Sequence, residues 1–155
     1  MINDSKLKIM NSTPLKILAI DDDEFIRIFM KDVFWIYGKT ADTFTIVSDL
    51  KKAKAFLSDP KTKPNLIFLD LRLPNEDGGA PDMENSFKFL EGLKKTESTK
   101  NIKVIVFSSF GDKEIQDHVL KLGADKFMIK GEYLPQEIME EARLILRGEE
   151  PSGRT

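Results

Sequence analysis

A chain of 155 residues with 41% hydrophobic and 32% charged side chains fits one ordinary globular domain rather than a disordered or membrane-embedded polypeptide. Its formal net charge of −2 argues against broad electrostatic attraction to nucleic acid. The absence of cysteine excludes disulfides, thiolate metal sites and cysteine nucleophiles, and no apolar run approaches the length of a membrane span.

Residues 1–14 are polar, end in Pro14 and lack the apolar block of a secretory signal, so a flexible N-terminal arm and a cytoplasmic location are expected. The first strand-length apolar run, 16–20 (KILAI), stops abruptly at Asp21, Asp22 and Asp23. A helix is predicted over 23–37, with Ile26, Met30 and Val33 on one stripe and Asp23 as its cap. A second apolar run covers 43–47. A second helix follows over 49–57, with Leu50, Ala53 and Leu57 aligned and Pro60 and Pro64 as stop signals. The third run, 66–69, delivers Asp70, and the stretch 79–86 (GAPDMENS) lengthens the loop before a third helix over 85–96. The fourth run, 104–107, leads to Ser108. A helix over 112–122 then opens on Asp112 and closes at Gly123. The fifth run, 126–129, delivers Lys130, and a last helix over 134–147 aligns Leu134, Ile138, Ala142 and Ile145. The polar tail 148–155 is expected to be disordered.

Strands alternating with helices of this length imply βαβ units, a parallel sheet and helices on both faces, hence a doubly wound α/β fold of one domain over 15–147. In such sheets ligands bind beyond the carboxyl ends of the strands. There the sequence delivers three carboxylates (Asp21, Asp22, Asp70), a hydroxyl (Ser108) and an ammonium (Lys130). Two carboxylates 4 Å apart repel by about 4 kcal/mol at an effective dielectric of ~20, so something must offset the crowding. Mg²⁺, which accepts one or two carboxylates and binds phosphate oxygens, is the natural counter-ion. Asp70, centrally placed, is the candidate nucleophile toward a phosphoryl group.

Four segments, IDD at 20–22, LDLRLPNEDG at 69–78, FSS at 107–109 and FMIK at 127–130, together resemble the receiver domain of two-component response regulators. The resemblance runs from Leu15 to about Arg147 and implies a five-stranded, flavodoxin-like sheet in the order 2-1-3-4-5. It also implies that Asp70 is phosphorylated by a phosphohistidine of a sensor histidine kinase or a histidine phosphotransfer protein. Mg²⁺ would be bound by Asp22 directly, Asp21 mainly through water, Asp70, and the backbone carbonyl of Arg72. Ser108 and Lys130 would hold the phosphoryl group, and Ser108 with Phe127 would switch the surface of the fourth helix, fifth strand and fifth helix. Such a domain is not an enzyme toward other substrates and catalyses only its own phosphorylation and dephosphorylation. With eight residues after the last helix, a stand-alone receiver is expected. It would act through an unknown downstream protein target, a phosphorelay or a homodimer through the switch face, without nucleic acid or membrane as partner.

Gly131 stands where the family usually has proline, and Ser109 where it has a smaller residue. Arg72 and Phe110 are expected to overhang the site and alter the lifetime of the phosphoryl group. Trp35 and Tyr37 read first as packing residues and second as a partner surface, and His118 as an exposed residue rather than a phosphorylation site or ligand. Two rival readings are a Mg²⁺-dependent phosphohydrolase with an aspartyl nucleophile, disfavoured because Arg72 occupies the general-acid position, and a phosphorylation-independent interaction module.

Overall fold

The computed structural model describes residues 3–4 and 13–149. The arm expected over 1–14 and the tail expected over 148–155 therefore lie largely outside the described residues. Five strands alternate with five helices: β1 (Lys16–Ile20), α1 (Glu24–Tyr37), β2 (Thr43–Val47), α2 (Leu50–Ser58), β3 (Leu66–Leu69), α3 (Met83–Lys95), β4 (Lys103–Ser108), α4 (Lys113–Lys121), β5 (Lys126–Ile129) and α5 (Pro135–Leu146). The sheet is parallel in the order β2-β1-β3-β4-β5, as expected.

Burial on both faces explains the unbroken apolar runs of the inner strands. On one face Leu18, Ile20, Ile67, Leu69, Val104 and Val106 pack with residues of α2, α3 and α4. On the other, Ile17, Ala19, Leu66, Phe68, Ile105 and Phe107 pack with α1 and α5. Four helices open on an aspartate whose carboxylate accepts backbone N–H bonds of the first turn: Asp23, Asp49, Asp82 and Asp112. The second core is tied at its far end by Asp42, which accepts from Leu15 N (2.9 Å), Lys39 N (2.7 Å) and Arg143 Nη2 of α5 (2.7 Å).

Three local expectations are corrected. The third helix starts at Met83, because Asp82 accepts from Glu84 N at 2.9 Å and so converts the end of the 79–86 stretch into a helical turn. Leu134 is not a core residue. It is half-exposed and caps α5, its N–H donating to the Glu137 carboxylate at 2.8 Å while Pro135 takes the first helical position. Trp35 and Tyr37 do not pack inside: Trp35 is 87% exposed and Tyr37 39%. The loop before α3 is clasped at its base. Leu73 and Asp82 form an antiparallel bridge, and Asn85 Nδ2 donates to Leu73 O at 2.9 Å. No helix among the described residues is long and apolar enough to cross a membrane.

Candidate functional site

Strand register builds the site. Ile20 and Leu69 are direct neighbours across β1 and β3, so Asp21 and Asp70 leave the sheet side by side. Asp70 N donates to Ile20 O at 3.1 Å and Asp21 N to Val47 O at 3.0 Å, which carries both backbones just past the sheet edge. β4 and β5 end in register at Ser108 and Ile129, and Lys130 N donates to Ser108 O at 2.9 Å. The Lys130 side chain then reaches back across the strand ends. Its Nζ lies 2.5 Å from Asp21 Oδ2 and 3.3 Å from Asp70 Oδ1.

The three aspartates in a row perform three tasks. Asp21 is buried and its Oδ1 accepts from Asp23 N at 3.0 Å. Asp22 is exposed and turns an oxygen toward the others: one carboxylate oxygen each of Asp21, Asp22 and Asp70 lie within 4.8 Å of one another. Asp23 caps α1 through bonds from Phe25 N (2.8 Å) and Ile26 N (3.3 Å).

Two buried carboxylates share one ammonium, and the balance is visible in their ionisation. Burial, and then the charge of Asp21, push the Asp70 carboxyl up to about 7. Burial likewise raises Asp21, although Lys130 pulls the other way. For Lys130 burial acts against the charge, but Asp70 and Asp21 outweigh it and raise its pKa, so it stays an ammonium. Three carboxylates facing one cation leave an excess of negative charge on hard oxygen donors. That donor set fits Mg²⁺.

Around this cluster sit the other expected residues. Ser108 is fully buried, its Oγ accepting from Phe110 N at 3.1 Å. Phe127, on β5, is half-buried with its ring against Gly111; a Cβ there would lie 2.7 Å from Phe127 Cε1 and 3.1 Å from Ile129 Cγ1. Arg72 places its guanidinium carbon 5.8 Å from the centroid of the Phe110 ring, a cation–π contact between residues flanking Asp70 and Ser108. His118 stands exposed on α4, edge-on to Phe87 at 4.7 Å.

Two contributors escaped the sequence reading. Ser86 is completely buried and its Oγ donates to the backbone carbonyl of Asp70 at 2.9 Å, tying α3 to the candidate nucleophile. Its signal is the i, i+3, i+4, i+7 spacing with Phe89, Leu90 and Leu93 in the helix predicted over 85–96, but a serine on an apolar stripe does not announce its partner. Phe107 lies beneath the Lys130 ammonium at 5.9 Å, and strand alternation alone could not reveal that contact.

A protein-family model described as the response regulator receiver domain matches residues 17–143. The chain is 29% identical over 109 residues to sporulation initiation phosphotransferase F of Bacillus subtilis, covering 70% of this chain and 76% of that protein. It is 27% identical over 132 residues to a probable transcriptional regulator, ycf27, of Porphyridium aerugineum, covering 85% of this chain and 48% of that one. Several other curated relatives it matches are likewise about twice the length of the aligned segment. Among solved structures, a CheY-like receiver domain protein of Methanospirillum hungatei superposes with TM-score 0.69 at 21% identity, covering 88% of this chain and 96% of that one. The phosphorylated cyanobacterial phytochrome response regulator RcpA gives TM-score 0.66 at 20% identity, covering 91% and 100%. At these identities both speak for the fold.

Proposed function

The chain belongs to the response regulator receiver family of two-component signalling, and on that premise we propose that it accepts a phosphoryl group on Asp70 from a phosphohistidine. The donor would be a sensor histidine kinase or a histidine phosphotransfer protein. The observation that carries the reading is the meeting of Asp70 with Asp21, Asp22 and Lys130 at the sheet edge: three carboxylates within 4.8 Å and an ammonium 3.3 Å from the nucleophile.

An ionised Asp70 oxygen attacks phosphorus, the bond from phosphorus to the donor imidazole nitrogen breaks, and its electron pair leaves with the imidazole. The product is an aspartyl phosphate. Lys130, already charged, remains beside the transferred group and pairs with its oxygens. Asp21, Asp22, Asp70 and the backbone carbonyl of Arg72 would hold Mg²⁺, which, when bound, neutralises charge on the cluster and on the phosphoryl oxygens. The Ser108 hydroxyl gives up its bond from Phe110 N and donates to the phosphoryl group. The space it vacates admits the Phe127 ring, changing the surface of α4, β5 and α5. Downstream, that surface would be read by a protein target or a relay partner. Catalysis is confined to the chain's own phosphorylation and dephosphorylation. Arg72 two residues after the nucleophile supports this over a phosphohydrolase, since guanidinium does not serve as a general acid near neutral pH.

The test is incubation with Mg²⁺ and a small phosphodonor, followed by intact-mass spectrometry. One added, base-labile phosphoryl group is expected, lost in Asp70→Asn. A phosphoryl group on serine or on His118, or steady turnover of phosphate esters, would overturn the assignment.

A further inference from the structure

Of the nine large hydrophobic residues exposed among the described residues, six lie on α1: Phe25, Ile28, Phe29, Trp35, Ile36 and Tyr37. At about 100° per residue, the first five fall with Asp32 in an arc of about 120°. The arc faces away from Met30, Val33 and Phe34, which α1 buries against the sheet. α1 is therefore apolar on two faces, a pattern that belongs to a helix covered on both.

The exposures are 82% for Phe25, 53% for Ile28, 37% for Phe29, 87% for Trp35 and 66% for Ile36. With roughly 150–250 Å² per large side chain, these five present on the order of 600 Å². That reaches the upper end of the ~300–600 Å² patch found on ordinary monomers. It is most of the ~800 Å² that each partner contributes to a stable interface. Beside Trp35 the surface continues into an open groove of about 950 Å³, floored by Phe44, Thr45 and Ile46 of the edge strand β2.

The face is also complementary to itself. Two copies of α1 laid antiparallel across a two-fold axis set Phe25 of one against Ile36 of the other. The axis then passes near residues 30–31. There Asp32, the single charge in the arc, lies toward Lys31 of the second copy, and the acidic start of the helix (Glu24) lies toward the basic segment at Lys39. An isologous contact needs this kind of reciprocity. Of the surface proposed above for switching, α4 and β5 lie toward the opposite edge of the sheet, and only α5 adjoins α1 on the same face. We infer that the chain forms a two-fold homodimer through the outward face of α1, independently of phosphorylation.

Trp35 is the only tryptophan, so its fluorescence reports this face alone. The full 155-residue chain is followed by sedimentation velocity and Trp35 emission from about 0.1 to about 100 μM, a range that brackets micromolar association. A dimer that forms as the Trp35 emission shifts to the blue is expected, unchanged by a phosphodonor. Phe25→Ser with Ile36→Ser should weaken association at least about a hundredfold while leaving in place the unfolding midpoint measured at about 0.1 μM, where parent and variant are both monomeric, because neither side chain is in the core. A monomer with red emission throughout overturns the inference, and so does a dimer indifferent to the paired substitution. Blue emission independent of concentration in a monomer, with residues 1–12 of the same chain on the helix, overturns it as well.

Discussion

Removing the nucleophile should make the metal-free protein more stable. In Asp70→Asn one of two buried carboxylates is lost and Asp21 keeps Lys130 at 2.5 Å. The Asp70 carboxyl ionises at its ordinary value of 3.8 when unfolded and at about 7 in the fold. Between those values the native state retains a proton that the unfolded chain has released, so stability declines as pH rises. The whole cost is present only above about 7. A shift of about 3 units at ~1.4 kcal/mol each gives about 4 kcal/mol as the upper limit. The attraction of Lys130 is already contained in that shift, but Asp21 carries part of the same crowding, its own carboxyl being raised as well, so the expected net gain is about 2 kcal/mol. For a domain of this size that corresponds to about 4–8 °C in unfolding midpoint. Thermal and urea unfolding in chelator at about pH 8 and about pH 4 measure it: a gain at the first and nearly none at the second. Saturating Mg²⁺ should shrink the difference by stabilising the native protein more than the variant. A variant no more stable than the parent in chelator at about pH 8 would refute the claim that like charges are crowded at this edge.

Asp42→Ala removes an acceptor of three bonds and should cost about 2–3 kcal/mol in urea unfolding near neutrality. Although burial opposes ionisation of Asp42, its bonds from Arg143, Lys39 and Leu15 hold its pKa below the usual carboxylate value. Its contribution is therefore complete above that usual value and disappears as pH falls through the lowered one, so parent and variant should converge in strong acid. Arg72→Ala should shorten the life of the aspartyl phosphate severalfold by uncovering it to water, with Phe110→Ala doing the same and the double variant little more, because the two act as one contact. The readout is loss of phosphoprotein after the donor is removed; full additivity would argue against a shared cover. Gly111→Ala should displace the Phe127 ring, since the new methyl group would lie 2.7 Å from it. Aromatic NMR shifts of Phe127 that stay put would show that another group gives way.

The fold was legible because its signals are periodic and local. Five apolar runs, the aspartates that open helices at 23 and 112 and the stop at Gly123 locate most elements without knowledge of distant contacts. The meeting of Asp21, Asp22, Asp70 and Lys130 was legible for a related reason: parallel strands of matched length deliver their next residues to one edge. What stayed hidden depends on tertiary placement. Ser86 falls within the predicted third helix, yet its bond to the Asp70 carbonyl exists only once α3 is packed against the end of β3. Leu134 shares the apolar spacing of α5 but lies at its cap, where solvent wins. Trp35 and Tyr37 carry packing chemistry in their side chains, yet hydrophobicity alone cannot say whether the surface they meet belongs to the same molecule.

The clasp at the foot of the loop before α3 separates two design requirements. Because Leu73, Asp82 and Asn85 close the segment on itself, and Pro74 and Asn75 accept from Leu50 N and Lys51 N, residues 76–81 hang outside a circuit that is already complete. Lengthening such a segment twofold costs only about 0.6 kcal/mol in closure entropy. A recognition peptide or reporter tag grafted there would sit beside the first turn of α2, where Glu76 meets Lys51, while the anchoring of Asp70 through Ser86 stays untouched. The chain thus offers an interchangeable address label that leaves the reaction chamber invariant.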